Sequence, residues 1–151
     1  MLLKNKWLDR YLDVAEHHSL WSKDTTKVGA VCVGKHGQEL SHGYNGFPRG
    51  VEDAPERLSD RETKLKFVVH AEMNCIYAAT LNGVSLDGSD IYVHGLPVCS
   101  ECAKGIIQVG IKRVFMRYPE ELEATERWIE SFKISSVMLN EAGVQWTIIP
   151  A

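Results

Sequence analysis

The sequence predicts an α/β layered domain built on a mixed sheet, and two observations carry the prediction. From residue 71 onward, helical and strand patterns alternate, as they do where parallel strands are joined by helical crossovers. Before that point, two β-rich runs separated by a short polar tip read as an antiparallel hairpin, which makes the sheet mixed.

Taken in order, residues 5–18 place Trp7, Leu8, Tyr11, Leu12 and Ala15 at helical spacing and read as an amphipathic helix. VGAVCVG (28–34) is an apolar strand, KHGQ its polar tip, and ELSHGYN the returning strand. Residues 43–66 are rich in Gly, Pro and charge and read as a long loop with a short helical turn. A loop of that length inside a small domain is usually functional or disordered. A helix follows over 71–81, then strand DIYVHG, a helix over about 100–109, and strand KRVFMR. EELEATERWIESF reads as a helix with Trp128, Ile129 and Phe132 on its inner face. A separate shorter helix is expected over about 134–141, and VQWTII closes the chain as a strand.

Length and composition bound the function. The 151 residues suit one domain, 1–151, with one core, and 44% hydrophobic with 25% charged residues is ordinary for a globular protein. A formal net charge of -3 supplies no bulk attraction to large nucleic acid or to an anionic membrane. No apolar run reaches the roughly 18 residues of a membrane helix, and MLLKNKWLDR does not read as a signal peptide. Four cysteines, Cys32, Cys75, Cys99 and Cys102, do not suggest a disulfide framework in this context, so a cytoplasmic protein with reduced thiols is expected. Cys32 and Cys75 read as small buried apolar residues.

The chemistry lies in two fragments, HAEMNCIY (70–77) and LPVCSECAKGIIQ (96–108). Cys99 and Cys102 precede an apolar helix, whose free N–H groups and positive dipole end favour thiolates. CxxC alone fits a redox pair, or half of a four-cysteine structural zinc site, as well as a zinc pair completed by another ligand. His70 at the start of a neighbouring helix would make a His-Cys-Cys set, and three protein ligands leave a fourth position for water. Zinc brings the pKa of bound water to roughly 7. Glu72, two residues on, is then the carboxylate that takes the water's proton and passes it to a leaving group. The bland alternatives are a satisfied core histidine and a carboxylate stabilised by a helix N-terminus.

HxE with a downstream CxxC is the signature of zinc deaminases. The blocks SKDTTKVGAVCV, GYNGFPRG, HAEMN and CSECAKGIIQVGIKRV resemble, in order, those of the deoxycytidylate (dCMP) deaminase family within the cytidine deaminase superfamily, and they cover residues 22–115. The resemblance implies a three-layer α/β/α fold with a mixed five-stranded sheet. It implies Zn2+ held by His70, Cys99 and Cys102, and hydrolytic deamination of dCMP to dUMP. The attack falls on C4 of the base, with Glu72 as proton shuttle. Asn45 of GYNG is expected to contact the substrate sugar and Ala71 of HAE to line the site. Lys23, Lys27 and Arg49, which flank these blocks, are the candidates for phosphate binding. Superfamily analogy also implies a homo-oligomer. Two departures stand out: Val98 separates Pro97 from Cys99, where the family places Pro next to the first Cys, and Cys75 replaces a small residue. The competing readings are the same chemistry on CMP, cytidine, a 5-substituted dCMP or guanine, and a non-catalytic zinc-stabilised nucleotide-binding module.

Overall fold

A computed structural model describes residues 5–119 and 126–151 of the chain. Helix α1 (Lys6–Ser19) begins at Asn5, whose side-chain oxygen accepts the Trp7 backbone N–H at 2.9 Å and satisfies one of the free donors of the first turn. Its buried positions are Leu12, Ala15 and Ser19, so the helical spacing in the sequence becomes one inward stripe.

Strands β1 (Gly29–Val33) and β2 (Glu39–Tyr44) form the antiparallel hairpin. Every residue of β1 is buried, whereas β2, at the sheet edge, has both buried and exposed positions. The long loop holds two short helices, α2 (Pro55–Ser59) and α3 (Arg61–Phe67). Neither buries a residue, so neither carries the apolar periodicity that marks a helix in sequence.

Helix α4 (Ala71–Leu81), strand β3 (Asp90–His94), helix α5 (Ser100–Gln108), strand β4 (Arg113–Arg117), helix α6 (Glu126–Glu141) and strand β5 (Gln145–Ile148) complete the order. The five strands run β2-β1-β3-β4-β5 across the sheet. β2, β1 and β3 pair antiparallel, and β3, β4 and β5 pair parallel. Alternation along the strands divides the core. Val31, Val33, Tyr92 and Phe115 face α1, while Ala30, Cys32, Ile91, Val93, Val114 and Met116 pack with α4, α5 and α6. The result is a three-layer α/β/α fold.

α6 differs from the expected pair of helices, being continuous through residues 133 and 134. Ser135 sits inside it, fully buried, and its hydroxyl lies 2.7 Å from the Val98 carbonyl and 3.2 Å from the Ser131 carbonyl one turn back. A serine satisfied in this way does not end a helix. Phe132 meets the Trp146 indole edge-on at 5.0 Å, as a residue on the inner face should. The first half of the segment that precedes it, residues 120–125, and the side chain of Ile129 lie outside the described residues. Cys32 and Cys75 are fully buried with their sulfurs 3.4 Å apart. No helix among the described residues is long and apolar enough to cross a membrane.

Candidate active site

Two helix N-termini converge beyond the sheet. His70 is the N-cap of α4 and Cys99 the N-cap of α5, each with extended backbone and no side-chain capping bond. Both are unusual cap residues, since Ser, Thr, Asp and Asn are preferred there. Their side chains face each other instead. His70 Nδ1 lies 3.3 Å from Cys99 Sγ and 3.4 Å from Cys102 Sγ, and all three donor atoms fall within 4.8 Å of one another.

Close packing sets this geometry. α4 lies directly over β2 at Gly43, where an added Cβ would stand 2.5 Å from the Cys75 backbone nitrogen and 2.6 Å from the Ala71 carbonyl oxygen. Asn74 Nδ2 ties the same turn to the Tyr44 carbonyl at 2.8 Å. On the other side, Val98 is fully buried and its carbonyl is held by Ser135, so the residue between Pro97 and Cys99 is turned into the core. Pro97 faces the pocket.

The electrostatics fit a cation. The Cys99 thiol is brought down to about 4, first by its hydrogen bond from Cys102 and then by the bond to His70. His70 is raised to about 9, first by its bond to Cys99, with the charges of Glu72 and Cys99 adding to it. A thiolate against an imidazolium is the arrangement that a divalent ion replaces when it displaces the proton. Two sulfurs and one imidazole nitrogen are zinc donors, and N···S separations near 3.4 Å suit roughly 2.1–2.3 Å bonds around one tetrahedral ion. Zn2+ is therefore the cofactor this site takes. Among the described residues no fourth His, Cys, Asp or Glu joins the group, so one coordination position is left for another ligand.

Glu72 lies in the first turn of α4 and is only 4% exposed. Burial raises its carboxyl to about 7, the negative charge of Cys99 adds to the rise, and His70 opposes it. A carboxyl poised there exchanges protons in either direction near neutral pH.

One pocket contains His70, Ala71, Glu72 and Cys99, with walls from Val28, Asn45, Leu65 and Val68. Asn45 lines it but is also a brace. Its Oδ1 accepts the Val28 N–H at 2.9 Å and its Nδ2 donates to the Thr26 carbonyl at 2.8 Å, which leaves one amide N–H without a partner among the described residues. Lys23, Lys27 and Arg49 do not line this pocket. Lys23 is paired with Asp53 at 2.8 Å, the Lys27 ammonium donates to the Ser22 carbonyl, and Arg49 lines a separate groove over the edge strand β2. In their place the structure brings Arg61 and Lys64 from α3 and Arg127 and Trp128 from α6. Trp128 thus lines the pocket. Arg61 and Lys64 belong to the basic run RETKLK just before His70, a run whose charge can serve anion contacts, whereas Arg127 and Trp128 lie beyond the last motif block, where nothing in the local pattern marks them.

The comparisons with known proteins agree with this geometry. A family model for the cytidine and deoxycytidylate deaminase zinc-binding region matches residues 3–118. A deaminase from the luxG 3' region of Aliivibrio fischeri is 41% identical over 148 residues, covering 97% of this chain and 95% of that one. Human deoxycytidylate deaminase is 36% identical over 148 residues, covering 92% of this chain and 77% of its own length. The crystal structure of dCMP deaminase from cyanophage S-TIM5 in complex with dCMP and dUMP matches with a TM-score of 0.74 at 28% identity, covering 98% of this chain and all 100% of that one.

Proposed function

The chain belongs to the cytidine and deoxycytidylate deaminase family, and we propose that it converts dCMP and water to dUMP and ammonia. The observation that carries this reading is Glu72, a buried carboxyl in the first turn of a helix whose N-cap is one of three converging zinc donors. A structural zinc site has no use for such a group. Similarity to proteins named for dCMP supports the choice of substrate.

His70 Nδ1, Cys99 and Cys102 are the residues that would hold the ion. Zinc, when bound, lowers the pKa of a water to near 7 and so makes a nucleophile available at neutral pH. The protein supplies the proton path. Glu72 would accept a proton from the attacking water as the new C–O bond forms at C4, and deliver it to N3 of the ring. It then carries the remaining hydroxyl proton to the exocyclic nitrogen as the C4–N bond breaks, and returns to its starting state. Val28, Ala71 and Leu96 enclose the reacting end in apolar surface, and the second amide N–H of Asn45 is available to the sugar.

Two further assignments belong to this reading. Four free thiols, two of them zinc donors, suit the reducing cytoplasm. Leu20, Trp21, Tyr77 and Leu81 are large apolar side chains at least half exposed, which suits a chain that buries them in a homo-oligomer; light scattering on the purified protein tests this.

Ammonia release from dCMP, CMP, deoxycytidine, 5-methyl-dCMP and guanine by zinc-loaded protein tests the function. Fast turnover of dCMP is expected. Failure to turn over any of them with one zinc bound per chain would favour the non-catalytic module.

A further inference from the structure

Helix α3 forms part of the pocket wall although it buries no residue of its own, so apolar burial does not hold it in place. Its C-terminal end is pinned where Val69 and Gly46 exchange backbone hydrogen bonds at 2.8 and 3.1 Å, and where the Phe67 ring lies 5.5 Å from that of Phe47. One turn earlier, Lys64 Nζ crosses to Asp24 Oδ1 at 3.1 Å, 40 residues away in sequence. Both side chains are largely covered, at 17% and 9% exposure, and both line the zinc pocket. Asp24 Oδ1 also accepts the Thr26 N–H at 3.0 Å, and the Thr26 carbonyl accepts from Asn45 Nδ2 at 2.8 Å. One carboxylate oxygen thus joins α3 to the segment that braces Asn45.

A covered ion pair adds little net stability, because desolvation offsets its attraction. Separating its partners, however, leaves a poorly hydrated charge, so the pair holds one arrangement. We propose that Lys64 and Asp24 are positioning residues whose ion pair straps α3 to the 22–28 segment. The strap fixes the wall made by Leu65 and Val68 together with the Asn45 amide. Neither residue belongs to the metal donor set. His70 and Glu72 ride on α4 and the cysteines on α5, so loosening the strap weakens the hold on the substrate without displacing the reacting groups. This kinetic consequence rests on the deaminase reading above, whereas the strap itself rests on geometry alone.

The test uses the full zinc-loaded chain with Asp24→Asn, Lys64→Met and the double variant. Asp24→Asn keeps an oxygen for the Thr26 N–H and loses the charge. The double variant leaves no charge unpaired and is expected to fold even where a single variant does not. Hydrogen exchange of the amides from Lys64 to Val68 needs no turnover. It is expected to quicken about tenfold in the double variant, with zinc content and exchange in α4 unchanged. KM for dCMP is expected to rise about tenfold, with kcat within about threefold of the wild type. The single variants are expected to match the double rather than add up to it, since either one breaks the same pair. Unchanged exchange in α3 would remove the strap. Faster exchange with an unchanged KM, or single effects that add, would overturn the positioning role. If the wild type releases no ammonia from dCMP, the deaminase reading fails, and the exchange result still decides whether the strap exists.

Discussion

Replacing Gly43 by Ala offers a test of how the fold positions the chemistry. The added methyl would stand 2.5 Å from the Cys75 nitrogen, 2.6 Å from the Ala71 oxygen and 2.9 Å from the Asn74 carbonyl carbon, all of them backbone of α4. Backbone has no rotamer with which to evade the clash. Reaching ordinary contact near 3.5 Å requires α4 to move away from β2 by about 1 Å. That helix carries His70 at its cap and Glu72 in its first turn, while the cysteines ride on α5. The shift therefore opens the 3.3 and 3.4 Å separations between His70 and the two sulfurs and moves the proton carrier relative to both. Misplacement of about 1 Å costs on the order of 100-fold in turnover. Overpacking adds roughly 1–3 kcal/mol of lost stability, and for a chain of this size each kcal/mol is roughly 2–4 °C of melting temperature. The assays are dCMP turnover, zinc per chain and a thermal melt. Gly50→Ala is the control: its φ is +81° and nothing lies within 4 Å, so it adds backbone strain of roughly 1–2 kcal/mol with no clash. A Gly43→Ala protein that melts with the wild type and turns over dCMP at its rate would refute the argument that α4 is placed by backbone contact with β2.

Glu72→Gln should keep one zinc per chain and lose roughly 10²–10⁴-fold in turnover; full activity would remove Glu72 from the proton path. Chelating the metal, or replacing Cys102 by Ser, should lower the melting temperature, since zinc binds the folded donor set and not the unfolded chain; equal melts with and without zinc would contradict that. Ser135→Ala leaves the buried Val98 carbonyl without its 2.7 Å donor and should cost about 1–3 kcal/mol in denaturant unfolding, with activity lost through the Cys99 loop. His18 is held below its ordinary value of 6.5 by burial and then by the charges of His42 and His17. The folded protein thus takes up this proton less readily than the unfolded chain. Its share of stability is complete above about pH 6.5 and falls as pH drops below that. His42→Asn should flatten this slope in melts across pH 5.5–7.5, and an unchanged slope would rule out repulsion within the His18–His42 stack.

What was legible in the sequence is what short-range geometry encodes. The stripe of Leu12 and Ala15, the alternation that sends Ala30 and Cys32 to one face and Val31 and Val33 to the other, and the strand-helix order after residue 71 all follow from periods of 3.6 and 2. The zinc donors were legible for the same reason, since CxxC spans one helical turn and a His at a helix cap has a known direction. The one helical turn expected in the long loop is in fact two helices, α2 and α3, whose extent escaped because they bury nothing, and the continuity of α6 escaped because the buried Ser135 inside it is satisfied by a carbonyl 37 residues away.

The phosphate candidates show the limit most clearly. Lys23, Lys27 and Arg49 lie close in sequence to the motif blocks, yet none of them lines the pocket that holds His70 and Glu72. Lys23 is engaged by Asp53, Lys27 by the Ser22 carbonyl, and Arg49 lines a separate groove over the edge strand. Arg61 lies between the GYNGFPRG and HAEMN blocks and Arg127 beyond the last block, and both line one pocket because α3 and α6 both reach it. The two halves of the site thus answer to different constraints. The reacting end depends on spacing within single turns of α4 and α5, which tolerates little change. The opposite wall depends on how the short charged helix α3 and the start of α6 are laid across the pocket, an arrangement set by tertiary packing rather than by spacing within one turn.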